Sequence, residues 1–404
     1  PPTHFPLKYT NQKLNFRFVR APMIPRAAAA TLKRLAKGFP VVALTGPRQS
    51  GKTTLARAVF AHKPYVSLEN PDEREFALSD PRRFLARFKN GAVLDEVQRC
   101  PELMSWLQGL VDERRIMGDF ILTGSAQFHL LASLSQSLAG RVGRVELLPL
   151  STRELKRAQK LPQSLADMLL QGGYPALYDR SLSPSDWFAN YVATYVERDV
   201  RQLVAVRDLG QFQTFVKMCA SRTGQLLNLA SLGSDCGLSA VTARQWLSVL
   251  EASYLVTLLR PHHQNLGKRL VKTPKLYFLD PGLAAWLMGI RSATQLETHA
   301  ARGALFETWV LSELLKQRLN AGQDSNLHFW RDSTGHEIDV IIDTPQGLRP
   351  IEIKSGSTFT PDWTQALQWW LDRANPGSSH PTLIYGGDTT HQRQGLQVLS
   401  WQDL

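Results

Sequence analysis

Eight consecutive residues constrain this chain more than any other stretch. Gly46-Pro47-Arg48-Gln49-Ser50-Gly51-Lys52-Thr53 fits the pattern G-x-x-x-x-G-K-[ST], with the apolar run Val41 to Leu44 before it and the helical run TLARAVF after it. A strand, a glycine turn and a helix in that order bring backbone N–H groups and the positive end of a helix around one anion. The pattern therefore predicts a cradle for the phosphates of ATP. Lys52 is expected to bridge the β- and γ-phosphates, and Thr53 to ligate Mg²⁺. The predicted nucleotide-binding set is Gly46, Pro47, Arg48, Gln49, Ser50, Gly51, Lys52, Thr53 and Thr54, joined by Asp95 and Ser125 from further along the chain.

Asp95 and Glu96 come from GAVLDEVQ, where an apolar strand ends in two acids. In a P-loop ATPase the first acid positions the Mg²⁺ shell and the second orients and deprotonates the attacking water. A third apolar run, Phe120 to Leu122, leads into Thr123, Gly124 and Ser125, and Ser125 is the expected polar sensor beside the γ-phosphate. Arg141 and Arg144, in SLAGRVGRVELLPL, are candidate arginine fingers for a neighbouring subunit, or else plain surface arginines. Apolar runs alternating with helical stretches predict an α/β fold built on a parallel sheet.

The motifs TGPRQSGKTTL, LDEVQ, LTGSAQ and LAGR make the stretch from Ile24 to Leu150 resemble prokaryotic AAA+-type ATPases that carry a C-terminal domain of unknown function. YVERDV, LYFLDPGL, GALFETWVLSELL and IEIKSG extend the resemblance over nearly all of the chain after about residue 23. It implies a nucleotidase core, a winged-helix segment and a nuclease-like C-terminal fold. The corresponding division is a basic arm at 1–22, an AAA+-like ATPase domain with a helical extension at 23–205, a winged helix at 206–280 and a PD-(D/E)XK-like domain at 281–404.

Residues 225–270 hold an apolar helix, a turn near Cys236-Gly237 and a second helix, SAVTARQWLSVLE, with Leu247 and Leu250 spaced to face inward. Thr242, Arg244 and Gln245 fall on its other side, and the acid-free segment from Arg260 to Lys275 follows with Lys268, Arg269 and Lys272. Recognition helix and then basic wing is the order of a winged helix, so these six residues are the expected DNA contacts; a helical lid packed on protein is the alternative. The basic charge is concentrated in an N-terminal arm, which can contact phosphates, or else is a solvated tail or a targeting-like leader. The net charge is +12, and the first 60 residues carry eleven Lys or Arg and no acid, whereas the remaining 344 carry 36 basic and 35 acidic residues.

Near the C-terminus, Asp339 in HEID is followed after twelve residues by Glu352-Ile-Lys354, the layout of a PD-(D/E)XK site. Alternate residues of a strand share a face, so Glu352 and Lys354 point the same way. Asp339 and Glu352 could hold Mg²⁺, with Lys354 beside it; Glu307, on the preceding helix, matches the extra acid found in this resemblance.

Composition narrows the rest. A hydrophobic fraction of 43% supplies ordinary cores, and no apolar run nears the roughly 18 residues of a membrane span. Cys100, Cys219 and Cys236 lack paired ligand spacing, so neither a disulfide framework nor a zinc site is expected, and a reducing cytoplasm fits. The leading expectation is an ATP-driven motor on duplex or branched DNA, such as a helicase or junction translocase, working as a homo-oligomer such as a hexameric ring. The alternatives are an ATP-gated, metal-dependent endonuclease and a nucleotide-switched signalling or scaffold ATPase that binds protein.

Overall fold

The computed structural model describes residues 23–125, 138–180, 182–196, 208–262, 272–374, 377–393 and 395–404. The N-terminal basic arm, His263, Lys268 and Arg269 lie outside the described residues.

Two sheets organise the molecule. The first comprises β1 (Val41–Thr45), β2 (Tyr65–Ser67), β3 (Ala92–Asp95), β4 (Phe120–Thr123) and β5 (Val142–Glu146), all parallel, in the order β2-β3-β4-β1-β5. Every residue of β1, β3 and β4 is buried. Helices on both faces exclude water, so such strands read as unbroken apolar runs. One face packs against Leu103, Met104 and Leu107 of the Leu103–Arg114 helix, the other against Leu32 and Leu55 of the Ala28–Leu35 and Lys52–Val59 helices. β5 had no counterpart among the expected strands: its VGRVE alternates between buried and open positions because it forms the sheet edge.

The second sheet contains β6 (Gln225–Leu226), β7 (Val256–Pro261), β8 (Lys275–Phe278), β9 (Leu327–Arg331), β10 (Glu337–Thr344), β11 (Gly347–Lys354), β12 (Thr382–Tyr385), β13 (His391–Arg393) and β14 (Leu396–Ser400). Its order is β13-β14-β12-β11-β10-β9-β7-β8-β6. The join is at β7 and β9, which pair in parallel through Arg260 with His328 and Pro261 with Phe329. Strands from the middle of the chain and from its C-terminal part thus share one sheet. They also share one core, in which Phe212, Leu250, Phe278, Trp309, Ile351 and Trp401 belong to a single buried cluster. The Arg302–Asn320 helix runs through it, buried on nearly every side, as an internal helix must be when it carries apolar residues all round.

The expected helical and strand stretches map onto the structure with shifted ends. The middle segment runs from the Leu209–Ser221 helix through β6, the Leu229–Asp235 helix, the Ala240–Ala252 helix, β7 and β8. Tyr254 sits in a turn at φ 55°, and β7 begins at Val256. Asp339 lies within β10.

Candidate nucleotide and carboxylate sites

The carboxyl ends of β1, β3 and β4 meet at one crevice, the place where open parallel sheets take their ligands. β1 runs into Gly46 and the loop to Thr53, β3 ends at Asp95, and β4 delivers Thr123 and Ser125. Gly46 has φ 144°, and a Cβ built there would lie 2.2 Å from the Leu147 carbonyl oxygen, so the loop closes against the β5 connection only with glycine. Gly51, at φ 93°, turns the chain into the Lys52–Val59 helix. Lys52 is buried and folds back on its own loop, donating to Gly46 O at 3.0 Å and Pro47 O at 2.7 Å.

Asp95 is held by three hydroxyls. Thr53 Oγ1 donates to its two oxygens at 3.0 and 3.1 Å, Tyr65 Oη donates at 2.8 Å, and Thr123 Oγ1 also donates. Burial and the bond to Asp95 push the Tyr65 phenol up to about 12, so it stays a donor at neutral pH. A hydroxyl and a carboxylate touching at the end of a phosphate loop form a hard-oxygen donor pair of the kind Mg²⁺ takes.

Glu96 adopts φ 57°, which aims its side chain away from the strand direction. Burial raises its carboxyl above the usual range, Asp95 adds to this, and the Lys52 ammonium and a hydrogen bond from Gln98 oppose it. Gln98 Nε2 donates to Glu96 and also to Ser125 Oγ at 3.0 Å. Gln98 thus ties together two residues predicted separately, and only its closeness to Asp95-Glu96 hinted at such a place.

Arg26 is a second participant the sequence did not single out. Buried, it donates to Ser50 O in the phosphate loop at 2.6 Å, to Leu148 O at 2.6 Å and to Glu154 Oε1 at 3.1 Å. Glu154, fully buried, also completes a capping box with Ser151 at the start of the Thr152–Arg157 helix. From the other side Tyr254 Oη meets Thr45 Oγ1 at 3.3 Å, the last residue before the loop.

The two candidate finger arginines occupy different settings. Arg141 forms a two-point pair with Asp112 at 2.5 and 2.8 Å, on the Leu103–Arg114 helix of its own chain. Arg144 lies on edge strand β5, half exposed, 3.7 Å from Glu146. In the middle segment Arg244, Gln245 and Lys272 are exposed, and Leu247 and Leu250 are buried on the opposite side of the Ala240–Ala252 helix. Thr242 is half-buried, with its hydroxyl 2.9 Å from the capping Ser239.

In the second sheet β10 and β11, with the Arg302–Asn320 helix, bring together Asp339, Glu352, Lys354 and Glu307. Lys354 Nζ donates to Glu352 Oε1 at 2.5 Å, and Ile353 N donates to Asp339 Oδ2 at 2.8 Å. Burial, with Asp339's charge added, pushes Glu352 up to about 8 and Glu307 up to about 7; burial raises Asp339 as well. Three carboxyls within reach of one another's charge cannot all ionise cheaply. Glu352 Oε2 is buried and has no hydrogen-bond partner among the described residues. That orphaned oxygen, next to Asp339, suits a divalent cation. Among the described residues, however, no three His, Cys, Asp or Glu side chains converge closely enough to hold a metal ion.

β8 contributes a group the sequence assigned to a basic wing. Lys275, 4% exposed, pairs with Glu307 Oε1 at 3.2 Å and with Glu337, and Tyr277 Oη also donates to Glu307. Although burial disfavours its charge, the carboxylates of Glu307, Asp339 and Glu337 hold the ammonium above its ordinary value.

Residues 38–156 match the AAA domain family, residues 162–294 a domain of unknown function (DUF8612), and residues 302–404 a domain of unknown function (DUF4143). Proteins of Mycobacterium tuberculosis (strain ATCC 25618 / H37Rv) and Mycobacterium bovis (strain ATCC BAA-935 / AF2122/97), each described as uncharacterized, are 36% identical over 338 residues, which is 82% of this chain and 74% of theirs. The chain belongs to their family. The AAA domain makes this family member an AAA-type ATPase, and its phosphate loop, Asp95 and Glu96 all lie inside the 38–156 match. A solved structure, the Walker-type ATPase of Pyrococcus abyssi, aligns at 15% identity and a TM-score of 0.44, over 64% of this chain and 94% of that one. Among the described residues no helix is long and apolar enough to cross a membrane.

Proposed function

We propose that the chain is an ATP-driven motor that acts on DNA, with ATP hydrolysis at the first sheet and DNA held by the middle segment. In the ATP site Lys52 binds the β- and γ-phosphates, and Thr53 and Asp95 would hold the Mg²⁺. Glu96 takes the proton of the attacking water, and Gln98, itself bonded to Ser125, holds the Glu96 carboxylate for that task. Bound Mg²⁺ would neutralise charge on the β- and γ-phosphates. Arg144, on the edge strand, is the better placed of the two arginines for a neighbour's nucleotide in a homo-oligomeric ring, because Arg141 is already taken by Asp112.

The observation that carries the DNA reading is the element order after residue 208. Helix, short strand, helix, tight turn, helix and then an antiparallel strand pair is the layout of a winged helix, and the Ala240–Ala252 helix turns Arg244 and Gln245 to solvent. Phosphate contacts from such a helix and from Lys272 would grip DNA with little sequence preference and strong salt dependence. The decisive measurement is ATPase rate and binding with duplex, single-stranded and four-way-junction DNA. Stimulation by at least one of them, weakened in Arg244→Ala/Gln245→Ala, is expected. No stimulation, with no binding at low salt, would sink the proposal and leave a nucleotide-switched scaffold.

A second reading, DNA cleavage gated by ATP, is favoured by the cluster of Asp339, Glu352 and Lys354 in residues 281–404 and by the orphaned Glu352 oxygen. Asp339 and Glu352 would hold the divalent cation there, with Lys354 beside the scissile phosphate. Mg²⁺-dependent cleavage of labelled DNA that disappears in Asp339→Ala and Lys354→Ala would establish it; equal cleavage by all three proteins would mark a contaminant.

A further inference from the structure

We infer that Lys275 is a resident cation of the carboxylate cluster: its ammonium fills the place beside Glu307 that a second metal ion would need, leaving Asp339 and Glu352 as the one open divalent-cation position. The open pair rests on the nuclease-like reading above; the role of Lys275 rests on its own contacts.

Four carboxylates lie around this point: Glu307 from the long helix, Glu337 and Asp339 from β10, and Glu352 from β11. Lys275 reaches two of them from β8, in contact with Glu307 at 3.2 Å and with Glu337. Its Nζ also lies over the Phe329 ring, 5.5 Å from the centroid, a cation–π contact that adds to its ion pairs. Tyr277, two residues on and on the same face of β8, gives Glu307 a further donor. Glu337 is also paired with Arg331 at 3.1 Å. Glu337 is thus paired on both oxygens, and Glu307 has its Oε1 taken twice, by Lys275 and by Tyr277.

Glu352 is saturated on one oxygen only. Lys354 takes Oε1, and Oε2 stays buried and unpartnered among the described residues. Asp339 accepts from Ile353 N through Oδ2. A divalent cation gains most where a buried carboxylate oxygen lacks a donor, so it would enter between Asp339 and the orphaned Glu352 Oε2 and find the Oε1 side of Glu307 taken by the Lys275 ammonium. Lys275 belongs to the middle segment, so the cluster is completed from outside the 302–404 match and depends on the β7–β9 join.

Counting bound Mn²⁺ by EPR on the nucleotide-free full chain tests this. Wild type is expected to bind one ion at this cluster that Asp339→Asn abolishes and Glu307→Gln leaves in place. Lys275→Met is expected to bind one more ion than wild type, and that extra ion should vanish in the double variant with Glu307→Gln. Lys275→Arg, which keeps the charge, should match wild type. Loss of the wild-type ion in Glu307→Gln, or no extra ion in a folded Lys275→Met, would overturn the inference. If Lys275→Met does not fold, the Glu307→Gln measurement decides alone. An extra ion in Lys275→Met with none in wild type would uphold Lys275 and remove the Asp339–Glu352 pair as a metal site, which separates the two readings.

Discussion

Glu96 sits where burial and the neighbouring Asp95 make its proton hard to lose, and Gln98 is one of the groups that ease it. A general base works only when ionised, so a raised pKa carries the acid limb of the rate profile to higher pH than an ordinary glutamate would show. Glu96→Gln should bind ATP normally and lose about 10²- to 10⁴-fold in kcat, the span that a positioned base contributes. Gln98→Ala removes a hydrogen bond to a charged group and frees Ser125, and should lower kcat by about ten- to a hundredfold with little change in KM. It should also move the acid limb of kcat further up in pH. A Gln98→Ala profile with an unshifted limb would show that Gln98 packs the crevice without acting on Glu96.

At the scale of elements, the phosphate loop is held by a residue far from it in sequence. Arg26 connects Ser50, Leu148 and Glu154, a span of 128 residues between the two charged partners. Arg26→Met leaves Glu154 buried without its cation and should cost about 3–5 kcal/mol of stability, the typical loss on breaking a buried pair. Urea unfolding reads that loss directly, and weaker ATP binding should accompany it as the loop loses its anchor; a loss below about 1 kcal/mol would mean the pair is solvated in the working protein. Arg26 also shows where sequence reading stops. Strands β1, β3 and β4 are legible because burial on both faces demands unbroken apolar runs, and the phosphate loop because its chemistry is local. Edge strand β5 is not, since VGRVE meets solvent at alternate positions. Lys275 reads as one more charge in a basic run; only the pairing of β8 with β7, and of β7 with β9, brings it to Glu307. Asp339, Glu352 and Lys354 are legible by spacing, but the donors that surround them are set by contacts distant along the chain.

Across the whole molecule, ATP site and carboxylate cluster are parts of one connected body. The Arg302–Asn320 helix carries Glu307 near one end; further along, Glu313 accepts from Thr152 N at 2.8 Å and Lys316 donates to Leu150 O at 3.0 Å, just behind the helix that Glu154 caps. Thr31 Oγ1, on the first helix, donates to Asn320 O at 2.8 Å. Asp280 accepts from Gly173 N at 2.8 Å, so the segment leading into that helix is tied back as well. These bonds, together with the shared sheet, mean that residues 281–404 hold only part of a core. Taken alone, they would leave β9 without its partner β7, and Glu307 without Lys275 and Tyr277. They would also expose the faces that Phe212, Leu250 and Phe278 cover. A fragment of residues 281–404 should therefore show no cooperative urea transition, followed through the fluorescence of Trp309 and Trp401, whose rings lie 6.0 Å apart in the core. A fragment of residues 148–404 restores the middle strands and helices and should unfold in a single cooperative step. Cooperative unfolding of 281–404 by itself would mean that the β7–β9 join is a docking contact between independent domains, and that ATP-driven motion could part them there.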